Sequence, residues 1–550
     1  MDGFNLADIH EAIAGIDPDR DCIVWGERRF SWGDVTDRTR RLANHLSAAG
    51  LGCHTERSAL AGWESGQDQL ALYLYNGNEY LEGMLGGYKA RCAPFNVNYR
   101  YVEDELLYLL DDAGASAIIY HAEFAPRLAA IRDRLPKLKV LLQVADSSGN
   151  ALLDGAVDYE AALAAASPER PDLPLSGDDL YILYTGGTTG MPKGVLWRQH
   201  DIFMSALLPL PLVGNPPSTV DDVVAQAGAG GMRVLAAPPF MHGAAHWMAF
   251  LVWHSGGTVV IQRDTVRLDP DDIWATVERD KANMVGIVGD AFARPLIDQL
   301  RVKSYDLSSL FLLASGGAIL SPPLKEELLE LVPHLTIMDA LGASETGRQG
   351  GNTANAAATV SSGTFSKDAN SVILDEDRTG VVEWPSEAVG WLGQRGSVPL
   401  GYLGDPDKSR ATFPVIDGVR YSTPGDRAQW VDADTYRCLG RDSVTINSGG
   451  EKIFAEEVES ALKHHHDVVD AVVTGRPSER WGSEVVAIVS LRPGSTVTGA
   501  DLNETAGRHL ARFKLPKDFV FVDEVLRGPN GKADYRWAKA TAADAGPAPA

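Results

Sequence analysis

The feature that most constrains this chain is a short apolar run that leads directly into a loop of glycines and threonines. Residues 179–184 read DLYILY, the pattern of a buried β-strand, and residues 185–194 follow as TGGTTGMPKG. Backbone N–H groups and hydroxyls in such a loop can surround phosphate oxygens, and Lys193 adds a positive charge. The loop is neither a Walker A motif nor a Rossmann G-x-G-x-x-G. By itself it fits an ordinary surface turn equally well.

Helical and strand patterns alternate in the first half of the chain. Residues 34–46 have apolar side chains at helical spacing, a helix is predicted around residues 102–110, and residues 117–120 (AIIY) have the pattern of a buried strand. This alternation predicts an α/β fold built in layers. Residues 213–231 are rich in proline and glycine, and we expect an irregular surface loop or connector there.

The length of 550 residues exceeds what one hydrophobic core supports, so two or more domains are expected. Beyond residue 441 the pattern changes to turn, strand, glycine-rich turn, amphipathic helix and strand. The remaining stretch is long enough for a small α+β domain. The last ten residues, TAADAGPAPA, are expected to be disordered.

Charge and cysteine content exclude several classes of protein. The net charge of −24 disfavours nucleic acid and anionic lipid surfaces as partners. The four cysteines, Cys22, Cys53, Cys92 and Cys438, have neither metal-site spacing nor the density of a disulfide scaffold. The N-terminus lacks a signal peptide, and no apolar run is long enough to span a membrane. We therefore expect a cytoplasmic protein with no integral membrane segment and no nucleic-acid partner.

Seven more short segments with glycine, hydroxyl or charged residues follow the loop of residues 185–194, which we call the phosphate loop. Small residues let a backbone approach a ligand closely, carboxylates hold hard cations, and lysines stabilise transferring phosphoryl groups. The segments are 238–243 (PPFMHG), 314–318 (ASGGA), 340–347 (ALGASETG), 421–427 (YSTPGDR), 440–442 (GRD), 448–452 (SGGEK) and 529–532 (PNGK).

In this order the segments resemble the adenylate-forming superfamily of acyl-CoA synthetases, luciferases and peptide-synthetase adenylation domains. The resemblance covers about residues 20 to 540 and is strongest to bacterial fatty-acyl and steroid side-chain CoA ligases. It implies an α/β fold with a large multi-layer N-terminal domain, residues 1–441, of helix-flanked β-sheets and a β-barrel-like subdomain. A small, mobile α+β C-terminal domain, residues 442–540, follows a hinge at Asp442, and residues 541–550 form the disordered tail.

The resemblance implies an AMP-forming acid–thiol ligase. A carboxylic acid, expected to be a fatty, steroid side-chain or other bulky apolar acid, attacks ATP to give acyl-AMP and pyrophosphate, and the thiol of CoA then displaces AMP. ATP, Mg²⁺ and CoA are the implied ligands, and the oligomeric state is open, a homodimer included. Three alternatives also stay open: an enzyme that loads a carrier protein, a luciferase-like oxygenase, and a non-catalytic nucleotide-binding protein.

The resemblance also assigns roles to individual residues. The catalytic positions are Lys532, Ser344, Glu345 and His242, with Glu345 as the Mg²⁺ ligand. The ATP-binding positions are Thr185, Gly186, Gly187, Thr188, Thr189, Gly190, Lys193, Gly316, Gly317, Ala318, Asp339, Ala340, Leu341, Gly342, Ser344, Asp426, Arg441 and Lys532. The CoA-binding positions are Ser448, Gly449, Gly450 and Lys452, and the acyl-binding positions are His242, Gly243, Gly317 and Gly342.

Two residues depart from the pattern of the superfamily. Leu341 stands where relatives usually have a tyrosine that stacks on adenine. Pro424 stands where they usually have threonine, and a proline has no N–H to donate. We therefore expect adenine to be packed more loosely here, or by another side chain.

Overall fold

The structure is a computed structural model that describes residues 3–185, 191–209, 216–228, 230–356, 363–448, 451–478, 481–528 and 531–546. Its helices are α1 Leu6–Ala14, α2 Trp32–Ala48, α3 Asn78–Lys89, α4 Glu103–Ala113, α5 Ala125–Ile131, α6 Tyr159–Ala165, α7 Gln199–Ala206, α8 Val220–Ala227, α9 Gly243–His254, α10 Pro270–Asp280, α11 Gly289–Val302, α12 Pro322–Leu331, α13 Pro406–Thr412, α14 Ala455–Leu462, α15 Gly499–Ala506 and α16 Tyr535–Asp544.

The strands are β1 Asp21–Trp25, β2 Arg28–Ser31, β3 Gln69–Tyr73, β4 Ala93–Asn96, β5 Ala115–His121, β6 Val140–Val144, β7 Val157–Asp158, β8 Leu180–Thr185, β9 Lys193–Arg198, β10 Arg233–Ala236, β11 Thr258–Ile261, β12 Met284–Ile287, β13 Leu312–Gly316, β14 Thr336–Ala343, β15 Gly347–Ala354, β16 Thr364–Lys367, β17 Ser371–Leu374, β18 Gly390–Arg395, β19 Gly401–Tyr402, β20 Val415–Ile416, β21 Val419–Ser422, β22 Asp426–Trp430, β23 Thr435–Arg441, β24 Ile446–Ser448, β25 Glu451–Ile453, β26 Val468–Ser478, β27 Gly482–Leu491 and β28 Asp518–Val522.

The local sequence patterns of the first half form the elements they predict. Residues 34–46 lie in α2, residues 117–120 lie in β5, and α4 covers most of residues 102–110. Ser31 caps α2, because its hydroxyl accepts from the backbone N–H of Asp34 at 3.0 Å while the Asp34 carboxylate accepts from the N–H of Ser31 at 2.9 Å. This reciprocal capping box satisfies two N–H groups at the start of the helix.

One large sheet positions the candidate site. Fourteen of its fifteen strands follow the order β2-β1-β11-β10-β12-β13-β14-β15-β16-β23-β22-β18-β21-β20, and the fifteenth, β17, pairs with β18. Strands β1, β11, β10, β12, β13 and β14 pair in parallel, so their carboxyl ends meet along one edge. From β14 onward the pairings between neighbouring strands are antiparallel, so the second half of this sheet is an antiparallel extension of its parallel part.

Two more sheets complete the large domain. A parallel sheet has the order β4-β3-β5-β6-β7, and an antiparallel sheet has the order β19-β9-β8. The helices cover these sheets and bury their apolar faces, with Trp32, Trp197 and Trp253 fully enclosed. The mixed α/β architecture predicted from the sequence is therefore confirmed.

The small domain has its own hydrophobic core. The strands form a β24-β25 hairpin and a β26-β27-β28 sheet, against which α14, α15 and α16 pack. Two clusters of buried apolar residues lie entirely within residues 444–542. Asp442, the predicted hinge, begins a single 3₁₀ turn directly after β23. Among the residues that the structure describes, no helix is both long enough and apolar enough to cross a membrane.

Two segments predicted to be irregular are partly helical. Within residues 213–231, the structure has the helix α8, which Thr219 and Asp222 begin with a capping box, and Val223 and Ala227 of that helix are buried. The prediction of a loop was wrong there because proline and glycine flank the helix rather than interrupt it. Helix α16 ends at Asp544, so the predicted disordered tail from residue 541 begins inside a helix.

Candidate active site

The predicted catalytic and acyl-binding residues of the large domain lie at the carboxyl edge of the parallel strands. His242 follows β10 and caps α9, Gly317 follows β13, and Ser344 and Glu345 follow β14. Gly317 has φ +85, a conformation that favours glycine, so the chain turns sharply at this edge. Ligands of open α/β sheets bind outside the carboxyl ends of the strands, which makes this edge the candidate site.

Strands β22 and β23 bring Asp426 and Arg441 together. The two residues are direct partners in the antiparallel register, and Nε of Arg441 lies 3.4 Å from Oδ1 of Asp426. The neighbouring carboxylates of Asp426 and Glu345 raise the pKa of Arg441, although burial opposes them, so the guanidinium stays charged. A paired carboxylate and guanidinium suit the hydroxyls and phosphate of a nucleotide.

Glu345 is held by a tyrosine that the sequence does not single out. The hydroxyl of Tyr402, in β19, donates to Oε1 of Glu345 at 3.0 Å. Burial and the Glu345 carboxylate raise the pKa of Tyr402 far above its ordinary value, so the hydroxyl keeps the proton that it donates. No motif marks Tyr402, because it lies 57 residues from its partner along the chain.

The small domain contributes Lys532 to the cluster of charged residues formed by Glu345, Asp426 and Arg441. Lys532 interacts electrostatically with Arg441, Glu345 and Asp426 of the large domain. The surrounding protein and the Arg441 guanidinium lower the pKa of Lys532, while the carboxylates counter this shift, and the side chain stays accessible to solvent. The structure thus brings together Lys532, Glu345, Asp426 and Arg441, four residues that the sequence assigned to one site.

His242 also interacts electrostatically with Lys532. Burial, and then the positive charge of Lys532, lower the pKa of His242 to about 4, so its ring is neutral at pH 7. Its Nε2 is buried and has no hydrogen-bond partner among the residues that the structure describes. His246, one turn later, is different: its Nδ1 bonds the carbonyl of Phe240 at 2.7 Å. Of these two histidines, His242 is the one available to a ligand.

The predicted adenine side is built on β13 and β14. In their parallel register, Ser315 pairs with Asp339 and Gly316 with Ala340, so the turn of Gly317 and Ala318 lies beside the residues that follow Asp339. The carboxylate of Asp339 forms an ion pair with buried Lys325. Lys325 was not predicted from the sequence, because it lies on α12 outside every recognised segment.

Leu341 and Gly342 are the next two residues of β14, and their surroundings differ. Leu341 is partly buried against the cluster that contains Trp430 and Tyr436, so it packs on protein side chains. Gly342 lies where a Cβ atom would come within 2.3 Å of the carbonyl oxygen of Gly347. A side chain at this position would force the strand apart.

The phosphate loop is only partly described. Thr185 and Lys193 pair at the ends of β8 and β9, and the predicted ligands Gly186, Gly187, Thr188, Thr189 and Gly190 lie outside the described residues. Nζ of Lys193 forms an ion pair with Asp405, the N-cap of α13. A phosphate that binds Lys193 would therefore compete with this carboxylate for the ammonium.

The predicted hinge and the predicted CoA hairpin lie together. The carboxylate of Asp442 accepts from Nε of Arg427 at 2.9 Å, and Arg427 also pairs with Glu376 and stacks on the ring of Trp391 at 3.5 Å. Lys452 reaches Glu376 at 3.8 Å. These contacts place the hairpin of Ser448 and Lys452 beside the hinge, while Lys532 is in the candidate site. Gly449 and Gly450 lie outside the described residues.

Glu456 is a further site residue that the sequence analysis missed. It lies in the first turn of α14, and a Cβ atom on Gly440 would come within 2.6 Å of its Oε2. Burial, together with Glu459 and Asp426, raises the pKa of Glu456 from 4.5 to about 7. The small domain therefore packs against Gly440 most favourably when this carboxyl group is neutral.

The variant Glu456→Gln tests this account, because glutamine cannot ionise. Since the pKa of Glu456 in the folded protein is raised, its contribution to stability is complete below pH 4.5 and is lost as the pH rises through about 7. From pH 5 to pH 8 we expect the Tm of the variant to rise relative to that of wild type by roughly 2–4 °C, because the pKa shift is worth ~3 kcal/mol and ~1 kcal/mol moves the Tm of a chain of this length by about 1 °C. A difference in Tm that does not change with pH would contradict the assignment.

Comparisons with known proteins identify the family of the chain. The model of the AMP-binding enzyme family matches residues 11–403, and that of the AMP-binding enzyme C-terminal domain matches residues 457–532. The medium-chain acyl-CoA ligase Mig of Mycobacterium avium is 52% identical over 538 residues, 98% of each chain. A medium/long-chain-fatty-acid–CoA/3-oxocholest-4-en-26-oate–CoA ligase of Mycobacterium tuberculosis is 39% identical over 548 residues, 98% of this chain and 96% of that one.

A solved structure resembles the whole chain. The crystal structure of the anthranilate CoA ligase AuaEII in complex with anthranoyl-AMP has a TM-score of 0.83 at 20% identity, and the match covers 99% of this chain and 98% of that one. At this identity the likeness concerns the fold, while the two family models and the relatives of 52% and 39% identity concern the family. The chain therefore belongs to the adenylate-forming superfamily of AMP-binding enzymes and is one of its AMP-forming acyl-CoA synthetases.

Proposed function

We propose that this enzyme converts a bulky apolar carboxylic acid, of the medium- or long-chain fatty or steroid side-chain type, to its CoA thioester through an acyl-AMP. The observation that carries the reaction is that Lys532 of the small domain interacts electrostatically with Glu345 and Asp426 of the large domain. The acid class is supported by the relatives, whose names give medium-chain, long-chain and 3-oxocholest-4-en-26-oate substrates.

Acyl-AMP formation requires two negatively charged reactants to approach each other. The carboxylate must attack the α-phosphorus of ATP, form a new O–P bond and break the bond to pyrophosphate, although both reactants are anions. In our proposal the ammonium of Lys532 lies between them and offsets this charge, most strongly in the transition state. Asp426 accepts hydrogen bonds from the ribose hydroxyls, and Arg441 stays charged beside the phosphate.

Glu345 fits the role of a Mg²⁺ ligand. Oε1 of Glu345 accepts from Tyr402, which orients the carboxylate, and Oε2 has no hydrogen bond within the described part of the chain. An oriented carboxylate with one open oxygen suits a hard cation. When bound, Mg²⁺ would supply further neutralisation of the phosphates, and Glu345 is the residue that we propose holds it.

Thioester formation needs a different position of the small domain. The CoA sulfur attacks the acyl carbon, an S–C bond forms, and the C–O bond to AMP breaks. We propose that the small domain rotates about Asp442, removing Lys532 and bringing in the hairpin of Ser448 and Lys452. In the present arrangement Arg427 and Glu376 hold Asp442 and Lys452 beside the hinge. Such domain motions serve two steps with one mobile element.

A face of small residues beneath α9 supports a bulky acid. Ala236, Gly286 and Ala314 are direct neighbours across β10, β12 and β13, so they lie in one row on the same face of the sheet. Met248 of α9 is only partly buried above this row, and a Cβ atom on Gly286 would lie 2.3 Å from its sulfur. A row of small residues beneath a flexible methionine side chain can adapt to large apolar groups.

The variant Gly286→Val tests the acid class and its location together. The added branched side chain would push Met248 into the space proposed for the acyl group. We expect kcat/KM for long-chain and sterol acids to fall about 10- to 200-fold, the range for steric changes in an apolar pocket, and that for butyrate to change little. The measurement is AMP release with ATP, CoA and a panel of carboxylic acids.

The control for this experiment is Gly15→Val, which changes the end of α1. It should leave the acid preference of wild type unchanged. If acetate or propionate gave wild type a higher kcat/KM than the long-chain, aryl or sterol acids, the proposed acid class would be wrong. Equal losses for all acids in Gly286→Val would instead place the acyl group elsewhere.

The variant Lys532→Ala tests the division of labour between the two steps. We expect acyl-AMP formation to fall about 10²- to 10³-fold, because an ammonium that stabilises the transition state is lost. Thioester formation from supplied acyl-AMP and CoA should change by less than about threefold. Lys539→Ala, an exposed lysine on α16, is the matched control and should retain both steps. Equal losses in both steps of Lys532→Ala would refute this role.

Two expectations are proposals about the setting of the enzyme. The low cysteine content favours the reducing environment of the cytoplasm. A homodimer is the oligomer that we propose to test first, by light scattering on the purified chain, because two-fold dimers are the commonest oligomers.

A further inference from the structure

A chain of ion pairs runs from the large domain to the loop that carries Lys532. It begins at Asp290, in the first turn of α11, whose Oδ1 accepts from the N–H of Ser321 at 2.7 Å. Its Oδ2 lies 3.1 Å from Nζ of Lys463, which ends α14 of the small domain. Both side chains of this pair are less than 10% exposed, so the contact is a buried link between the two domains.

The link continues through the small domain. Nζ of Lys463 also lies 2.9 Å from Asp470 of β26. Asp470 in turn accepts two hydrogen bonds from Arg527, at 2.5 and 2.8 Å. Although burial acts to lower the pKa of Lys463, the carboxylates of Asp290 and Asp470 raise it, so the ammonium stays charged.

Arg527 connects this chain to the loop of Lys532. Its third nitrogen, Nη1, donates to the carbonyl of Gly531 at 2.9 Å. The backbone N–H of Gly528 donates to the carbonyl of Lys532 at 2.8 Å, and Arg527 forms a β-bridge with Ala533. The guanidinium of Arg527 thus fixes Gly531, the residue directly before Lys532, and each of its three nitrogens donates a hydrogen bond.

The loop that carries Lys532 also lies close against the large domain near Asp290. Gly531 has φ +71, and a Cβ atom there would lie 2.9 Å from a methyl carbon of Val288. Val288 comes two residues before Asp290. The contact of Gly531 with Val288 and the ion pair of Lys463 with Asp290 therefore join the same corner of the large domain to the small domain.

We propose that Asp290, Lys463, Asp470 and Arg527 are positioning residues that hold Lys532 in place for acyl-AMP formation. The inference rests on the proposed function, which gives Lys532 its role. A buried ion pair is weak evidence for net stability, but the loss of one partner leaves a buried charge unpaired and displaces what the pair holds. Rotation of the small domain would separate Lys463 from Asp290, so this link concerns the first step alone.

The test measures the two steps separately in three variants. Lys463→Met should lower kcat for acyl-AMP formation at least about tenfold, with a smaller change in the KM for ATP, and should leave thioester formation from supplied acyl-AMP within about threefold of wild type. Lys463→Arg should recover most of the first step. Asp290→Asn, which keeps the pair of Lys463 with Asp470 intact, should give a partial loss in the same step.

The matched control is Lys514→Met. Lys514 pairs with Glu457 at 2.8 Å inside the small domain, so the substitution removes an ion pair of similar length that does not cross to Asp290. It should retain both steps. If Lys463→Met misfolds, which circular dichroism would reveal, Asp290→Asn decides the question, because its substitution lies in the large domain.

The double variant Asp290→Asn with Lys463→Met gives an independent readout. If both act through one contact, its first step should be no slower than that of Lys463→Met alone, whereas independent effects would multiply. Multiplied losses, equal losses in both steps, or an unchanged first step in Lys463→Met would overturn the proposal. Failure of the proposed function is distinct from these results, because wild type and Lys514→Met would then form no acyl-AMP either.

Discussion

The parallel register of β10, β12, β13 and β14 is the constraint on which the rest of this enzyme depends. Parallel pairing places the carboxyl ends of the four strands along one edge. Residues far apart in the sequence, such as His242 and Glu345, lie at the same edge because each comes shortly after the carboxyl end of a strand of this set. The small domain then adds one cation, Lys532, to a cluster in which Asp426 and Arg441 are already paired.

Much of the fold, and several residues that the structure brings together in the candidate site, could be predicted from the sequence, because both depend on local patterns. The helix of residues 34–46 and the strand of residues 117–120 follow from the spacing of apolar residues, and Asp426, Arg441 and Lys532 lie in short motifs of the superfamily. Helix α8 was missed because its start depends on the capping box of Thr219, while the proline and glycine around it suggest a loop.

The residues that the sequence did not reveal share one property: each acts through a partner that is distant along the chain. Tyr402 holds Glu345 across 57 residues, and Lys463 meets Asp290 across 173 residues. No spacing rule within a segment can find such pairs, since they exist only after the strands have been assembled. Glu456 was missed for a related reason, because its pKa depends on burial between the two domains rather than on its sequence neighbours.

The ion pair of Lys193 with Asp405 bears on turnover. If Lys193 binds a phosphate of ATP, as the resemblance to the superfamily implies, it exchanges one anionic partner for another and gains only the difference between the two. The carboxylate of Asp405 would then accept the ammonium again when pyrophosphate leaves. In this role the pair would lower the affinity for the inorganic product as well as that for ATP, which would favour rapid product release over tight binding of ATP.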